Sequence, residues 1–584
     1  MQYHKLVDVY ENLESTPKRL GKTHIISEFL KHTSTEDLPT IMLLLEGRLF
    51  PNWDNREVGV ASRLILKAIS IASGIEANKV EKEWKKTGDL GLVAENLIKG
   101  KRQRTLHSHE LTVKKVFTNL RRLPELQGQG TVERKIQLIS ELLTSAKPKE
   151  AKYIVRTILQ VLRVGVGEGS VRDAITWAFF PDKIKLKFDE KENNIEIEDR
   201  EEYNKYVDAV QKAYDVTNDF APVAESAKTK GLNGLKDMNL AVGVPIKVML
   251  ALKASNAEEG FERVGKPAEL EYKYDGFRIQ AHKKHDEINL FTRRLENVTA
   301  QFPEVVECIK HHVKGKEFII DSEAVGYSKK SGKYLPFQSI SQRIKRKYDI
   351  ERMSKEFPVE LNVFDIIYYN GKSYLNEPFE ERRKLLEKIV KKEKKKIVLS
   401  KKLVTSDVKE VEKFYEDSIK LGNEGLMFKT LDAPYKPGAR VGHMVKFKKE
   451  RETFDLVIVA AEWGEGKRAK WLSSYTAACY DKGNYQEVGK VSTGLKEKDE
   501  EGLSFNKMTK LLKPLIVSEK GKEVKVKPSI VIEVGYEEVQ KSPTYSSGYA
   551  LRFPRVIKLR EDKGPEDANT LAQVENFYDK QKKK

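Results

Sequence analysis

Two cysteines, Cys308 and Cys479, are all that 584 residues contain, which excludes a disulfide framework and a Cys-rich zinc site. Both read as packed thiols. No apolar run approaches the ~20 residues of a membrane-spanning helix. The opening MQYHKLVDVYENLEST has no basic segment followed by an apolar one, so no secretory signal is visible. A cytoplasmic protein without membrane contact is expected. Internal repeats are missing as well. The nearest approach to low complexity is KIVKKEKKKIVLSKK (Lys388 to Lys402), which reads as a solvated helix end running into a strand.

What is present is length and charge. The chain is too long for one hydrophobic core, and domains of ~100–200 residues imply three or four units. Apolar residues make up 39% and charged residues 33%, and 107 basic against 88 acidic residues leave a net charge of +19. That excess favours a polyanionic partner through long-range attraction and counterion release.

Periodicity divides the chain. Up to about residue 225, segments such as KLVDVYENLEST, SRLILKAISIASGI and TVERKIQLISELLTSA place apolar residues three and four apart, predicting an all-α domain. SAKTKGLNGLKDMN (Ser226 to Asn239) is polar and Gly-containing, and reads as a linker. Strand-like runs follow, among them AELEYKYDGFRIQAHK, EFIIDSEAVGY and PVELNVFDIIYY, with helices interposed, predicting a mixed α/β or α+β unit. After Glu450, short strands at regular spacing predict a small β-barrel, and the end reads as a helix with a basic tail.

ELEYKYDGFRIQAHK (Glu269 to Lys283) holds the most chemistry. With period two, Leu270, Tyr272 and Tyr274 share one face, while Glu271, Lys273 and Asp275 share the other. One reading is a hairpin with a tight Asp-Gly turn and a solvent-facing polar side. The other makes Lys273 a nucleophile. A lysine attacks phosphorus only when neutral, and its usual pKa is ~10.4, so burial or neighbouring cations must lower it. Such cations would also neutralise departing pyrophosphate. In HMVKFKK, Lys446 and Lys448 stand two apart on a strand, about 7 Å between side chains, which suits adjacent phosphates.

KYDGFR (Lys273 to Arg278) resembles the K-x-D-G-x-R signature of covalent nucleotidyltransferases, the superfamily of DNA ligases, RNA ligases and capping enzymes. The other motifs follow in the family's order: FTRRLENVT, IIDSEAVGY, LNVFDIIYYNG, EGLMFKT, APYKPGAR and HMVKFKK. The ending YEEVQKSPTYSSGYALRFPRVIKLREDK is similar to the last motif of cellular ATP-dependent DNA ligases. Two departures stand out. Met444 occupies a place where the family often has tryptophan, and TRR replaces SRN, which leaves Arg293 and Arg294 as alternatives, with Arg293 favoured.

The resemblance implies an ATP-dependent DNA ligase of the archaeal and eukaryotic replicative type. Its expected domains are a helical DNA-binding domain (1–235), an α+β adenylation domain (236–451) and an OB-fold barrel with a C-terminal helix (452–584). It implies that Lys273 takes AMP from ATP, passes it to the 5'-phosphate of a nick in duplex DNA, and that the 3'-hydroxyl then displaces it, as in replication, repair and recombination. Nucleotide-binding roles fall to Glu271, Arg278, Arg293, Glu323, Phe364, Arg440, Lys446 and Lys448, with Glu271 and Phe364 holding adenine. Mg²⁺ would meet Glu424 and Glu323. Arg552 and Arg555, with Lys558 and the REDK of Arg560 to Lys563, would orient pyrophosphate or contact DNA.

In the amino-terminal half, Gly165, Gly167 and Gly169 lie in RVGVGEGS. They lack Gly-Lys-Ser/Thr and follow a helix, so no P-loop is expected. A helix-loop-helix with Arg163 and the glycines facing DNA phosphates is expected instead, and similar sequences occur at this place in archaeal and eukaryotic ligases. In GKRQRTLHSHELTV, Gln103, Leu106 and His107 fall where archaeal relatives carry a sliding-clamp motif, although His107 is a poor aromatic substitute. A monomer is expected. A capping guanylyltransferase shares the lysine motif but lacks the helical domain and the LRFPR ending. An NAD-dependent bacterial ligase would carry a zinc-binding cysteine cluster, and an inactive DNA-binding scaffold need not keep Lys273, Glu323, Glu424, Lys446 and Lys448.

Overall fold

In the computed structural model of the chain, everything is described except residues 55, 57, 101–109, 336, 345–347, 449–452, 465–467 and 584. The described chain falls into two compact units, Met1–Lys448 and Lys449–Lys584. The segment holding Gln103, Leu106 and His107 lies outside the described residues. None of the described helices is long and apolar enough to cross a membrane.

The apolar three-and-four spacing of the first part folds into helices around one continuous core, from Tyr3, Leu6 and Tyr10 to Val223 and Leu235. Helices Tyr3–Ser15, Leu90–Lys99 and Pro148–Ile158 meet at a buried ion network. Arg156 reaches Glu14 at 2.9 Å and Asp89 at 2.8 Å, and Lys152 reaches Glu11 at 2.7 Å and Glu14 at 2.9 Å. The Asp89 carboxylate also caps its helix, accepting from the Gly91 and Leu92 amides.

Two expectations for this part are corrected. The domain is not all-α: β1 (Leu186–Asp189) and β2 (Asn194–Ile197) form an antiparallel hairpin. KIKLKFD and NNIEIED alternate with period two, a strand signal overshadowed by the neighbouring helical pattern. The stretch Ser226 to Asn239 is not a linker over most of its length. It belongs to a helix, Phe220–Lys236, that Asp219 caps and that Gly231, with φ of 61°, kinks. Its composition reports solvent exposure on one face, not a break.

The next part builds two sheets from β3 (Leu252–Ala254), β4 (Ala268–Lys273), β5 (Phe277–Lys284), β6 (Glu287–Thr292), β7 (Glu317–Gly326), β8 (Val359–Tyr369), β9 (Lys372–Ser373), β10 (Ile397–Leu399), β11 (Lys402–Thr405), β12 (Gly425–Thr430) and β13 (Met444–Phe447). One sheet runs β10-β8-β7-β5-β6 with β9 on β8, and the other β11-β4-β12-β13-β3. The first packs Ile279, Ile320, Val363 and Leu386 into a core, and the second packs Leu270, Leu426, Phe428 and Phe447 into another.

This topology overturns the hairpin expected at ELEYKYDGFRIQAHK. The strands β4 and β5 belong to different sheets, so Tyr274-Asp275-Gly276 is a crossover between them, not a hairpin turn. The face expected to meet solvent is internal, with Glu269 and Glu271 each 2% exposed. Lys388 to Lys402 matches its reading, running from the end of helix Phe379–Ile389 into β10.

In the second unit, β14 (Thr453–Trp463), β15 (Leu472–Asp481), β16 (Asn484–Val491), β17 (Ile516–Lys520), β18 (Glu523–Val526), β19 (Val531–Gly535) and β22 (Arg555–Leu559) form one seven-stranded sheet. Its path is β16-β15-β14-β18-β17, with β19 joining β14 to β22. Between β19 and β22, β20 (Val539–Lys541) pairs with β21 (Tyr549–Leu551). Among the described residues these pairings leave an open path rather than the closed barrel expected. A helix, Leu571–Lys583, follows.

Removing one partner from a buried ion network strands the other charges, at a cost of about 3–5 kcal/mol. Arg156→Met is therefore expected to lower the unfolding free energy by about that amount, read from the denaturant midpoint of the helical circular-dichroism signal. An unchanged midpoint would show the network to be energetically idle.

Candidate active site

Lys273 ends β4, and its neighbours are fixed by sheet register. Gly425 of β12 stands opposite Lys273, and the Glu424 amide donates to the Lys273 carbonyl at 2.8 Å. The Lys273 ammonium lies 2.9 Å from the Glu424 carboxylate. Lys448, immediately after β13, pairs with the same carboxylate. From the other sheet, Arg278 on β5 faces Glu323 on β7. Two strands of one sheet and two of the other thus converge on Lys273.

The charges there are uneven. Burial would raise the Glu424 carboxyl, but Lys273 and Lys448 hold it down at about 2. At Glu323 burial wins and pushes the carboxyl up to about 8. Lys273 and Arg278 oppose that rise, and Glu424 and Asp275 add to it. Arg278 is buried and paired with Asp321 at 2.5 Å, so the Nη2 end of its guanidinium is committed to the protein. Lys446, half-buried, faces Met427 across β12 and Lys253 across β3.

Gly276 makes the convergence possible. A Cβ there would sit 2.4 Å from the Ala324 carbonyl oxygen and 3.0 Å from Glu323 Cγ. No side chain fits where the crossover passes β7.

Beside this group lies a narrow cavity of about 20 Å³ lined by Phe364, Met444, Val248, Met249, Lys429 and Tyr435, among others. The Lys429 ammonium stands 4.9 Å from the Phe364 ring and 4.5 Å from the Phe379 ring. It also pairs with Glu271 at 2.5 Å, and Arg383 holds the other Glu271 oxygen at 3.1 Å. Met444, standing where the family often has tryptophan, forms part of the wall.

Arg293 and Arg294 are both exposed and line a second cavity of about 410 Å³, with Arg48, Asn52, Glu168 and Lys247. Arg440 is exposed just past the Tyr435 turn. In the helical part Arg163 has φ of 61° and reaches Asp89 at 3.3 Å. Gly165, with φ of +65°, could not hold a side chain without strain. Lys22 donates to the Val164 and Gly165 carbonyls. Gly167 caps the helix Glu168–Phe179, and Gly169 lies against Arg19. In the second unit Arg552 reaches Glu538 at 3.4 Å and Arg555 is exposed at the start of β22. Arg560 and Lys563 both hold Asp455, at 2.8 and 2.7 Å.

Sequence reasoning missed Asp321, Arg383 and Tyr435, whose partners are distant in the chain. A weak signal existed for Asp321, two positions before Glu323 on the same strand face.

A family profile described as "ATP dependent DNA ligase domain" matches residues 248–448. "DNA ligase N terminus" matches 2–176 and "ATP dependent DNA ligase C terminal region" matches 468–563. The DNA ligase of Nanoarchaeum equitans is 48% identical over 586 residues, covering 100% of this chain and 99% of that one. The DNA ligase of Thermococcus onnurineus is 42% identical over 585 residues, with 100% and 99% covered. A solved structure designated "Pmar-Lig_Pre." aligns over 95% of this chain and 99% of that one at 15% identity, with a TM-score of 0.54, a likeness of fold.

The chain belongs to the ATP-dependent DNA ligases of the archaeal type. It has that family's three-part architecture and seals nicks in DNA, with ATP as the nucleotide substrate and Mg²⁺ as the cation. The side chains present fit Mg²⁺ by donor type, Glu323 and Glu424 being the hard oxygen donors that this cation takes. Among the described residues no cluster of three or more His, Cys, Asp or Glu side chains could hold a metal alone, so substrate phosphates would supply the remaining oxygens.

Displacing reacting groups by about 1 Å costs about 100-fold in rate. Gly276→Ala is accordingly expected to slow nick sealing by about that factor, measured at saturating ATP. A rate within a factor of about two of the parent would contradict the tight crossover.

Proposed function

We propose that Lys273 is the nucleophile of this ligase. Its Nζ, once deprotonated, attacks the α-phosphorus of ATP, forming the N–P bond of a lysyl-AMP as the bond to pyrophosphate breaks. The 5'-phosphate of nicked duplex DNA then takes the AMP, and the 3'-hydroxyl displaces it to close the strand. The observation that carries this reading is the convergence of Lys273, Glu424 and Lys448 within ion-pair distance, with Glu323 and Arg278 opposite.

Within the site, Lys446 and Lys448 carry phosphate charge. Glu424 holds the Lys273 ammonium in place until the triphosphate draws Lys448 away from it. Phe364 stacks on adenine, and Glu271, oriented by Lys429 and Arg383, accepts from it. Arg278 acts through the edge that Asp321 leaves open. Glu323 and Glu424 would hold Mg²⁺, which when bound screens the crowded phosphates and polarises phosphorus. Arg293 and Arg440 complete the phosphate contacts.

Residues 1–235 form the DNA-binding domain, with Arg163, Gly165, Gly167 and Gly169 meeting phosphates at the N-terminus of helix Glu168–Phe179. Residues 236–451 form the adenylation domain, and residues 452–584 an OB-fold that presents Arg552 and Arg555 to DNA. Gln103, Leu106 and His107 contact a sliding clamp. The enzyme works as a monomer in the cytoplasm.

Incubation with α-labelled ATP and Mg²⁺, followed by a denaturing gel, tests the nucleophile. Label on the protein that disappears when nicked DNA is added, and no label on Lys273→Ala, is the expected result. Label retained by Lys273→Ala, or taken only from GTP, would overturn the assignment.

A further inference from the structure

Over residues 243–249 the segment leading into β3 belongs to no strand: the Val248 carbonyl accepts from the Gly438 amide at 3.2 Å, and three of its amides are held by side chains. The Gly243 amide donates to His282 Nδ1 at 3.0 Å, the Ile246 amide to Gln280 Oε1 at 2.7 Å, and the Met249 amide to the Tyr435 hydroxyl at 3.4 Å. All three side chains are buried, with Gln280 completely so. Backbone amides that lack a ladder must find partners when buried, and here they find them on β5 and on the turn after β12.

These partners form one connected network. His282 Nε2 lies 3.0 Å from Gln280 Oε1, and Gln280 Nε2 donates to Asp321 at 3.1 Å. The Tyr435 hydroxyl donates to Asp321 at 3.0 Å, and Arg278 donates to it at 2.5 Å. Every role follows by elimination. Because Nδ1 of His282 accepts from Gly243, Nε2 carries the proton and donates to Gln280. The Gln280 oxygen then accepts twice, and its amide nitrogen must face Asp321. Burial and nearby Arg278 push His282 down to about 3, in keeping with a neutral ring.

The two ends of the network both belong to the nucleotide site. At one end Val248 and Met249 line the cavity that contains Phe364 and Lys429. At the other, Arg278 stands opposite Glu323. Gln280 is the member that bonds the segment, the histidine and the carboxylate at once.

We propose that Gln280 is a positioning residue for ATP: it sets Val248 and Met249 against the adenine pocket and, through Asp321, fixes the guanidinium of Arg278. This rests on the reading that Phe364, in the wall of that cavity, stacks on the base. Loss of Gln280 leaves the Ile246 amide and Asp321 short of partners, so the segment shifts and both ends of the site move together.

The test is ATP-dependent self-labelling of the full chain, with KM for ATP and the labelling rate at saturation measured for Gln280→Met and for the nearly isosteric Tyr435→Phe, beside thermal melting. For Gln280→Met, KM for ATP is expected to rise about tenfold, with the saturating rate changed less than about threefold and the preference for ATP over GTP reduced. Tyr435→Phe should move KM in the same direction by a smaller factor. A lowered melting temperature with KM and the ATP-to-GTP preference both unchanged would overturn the proposal and leave Gln280 a structural residue. If Gln280→Met does not fold, an unchanged KM and preference in Tyr435→Phe would overturn it alone. Whether Lys273 is the labelled residue is read separately from Lys273→Ala and does not depend on either variant.

Discussion

The site depends on one close approach, where the backbone at Gly276 passes the Ala324 carbonyl with no room for a side chain. The chain leaves one sheet at Lys273 and enters the other at Phe277. That crossover fastens the two sheets to each other and places a lysine at the end of one and an arginine at the start of the next. Glu424 and Lys448 reach Lys273 because β12 and β13 follow β4 in register. Glu323 stands opposite Arg278 because β7 lies beside β5. Widening the gap at Gly276 would separate both sets together.

Charge does the second part of the work. Glu424 is held by two ammoniums, while the Glu323 carboxyl is pushed up by burial and by the carboxylates near it. A triphosphate entering such a site exchanges partners with groups already present, so the desolvation of Lys448 and Lys273 is met in advance by Glu424. Glu271 is treated differently. It is buried between Lys429 and Arg383, which fixes its orientation instead of leaving it to solvent.

The motifs were legible because their order along the chain is itself information: Lys273, Glu424 and Lys448 come within ion-pair distance, and Glu323 stands across from Arg278 on the neighbouring strand. What was illegible was connectivity. An Asp-Gly pair between alternating segments is a local hairpin signal, and nothing local distinguishes a turn back into the same sheet from a step into another. Period two also said nothing of what lay beyond the polar face, which proved to be Arg383 and Lys429 from more than a hundred positions away. Polarity misled at Ser226 to Asn239, where a helix continues with its kink at Gly231. The buried partners Asp321 and Tyr435 gain meaning only from contacts that no spacing records.

The central claim is that this crossover delivers Lys273, and no other lysine, to the α-phosphorus of ATP. Its most direct test is mass spectrometry of the protein after incubation with ATP and Mg²⁺, with digestion under conditions that preserve the phosphoramide bond. The account predicts a single AMP adduct on the peptide containing Lys273. An adduct on Lys253, Lys446 or Lys448, with Lys273 unmodified, would contradict it.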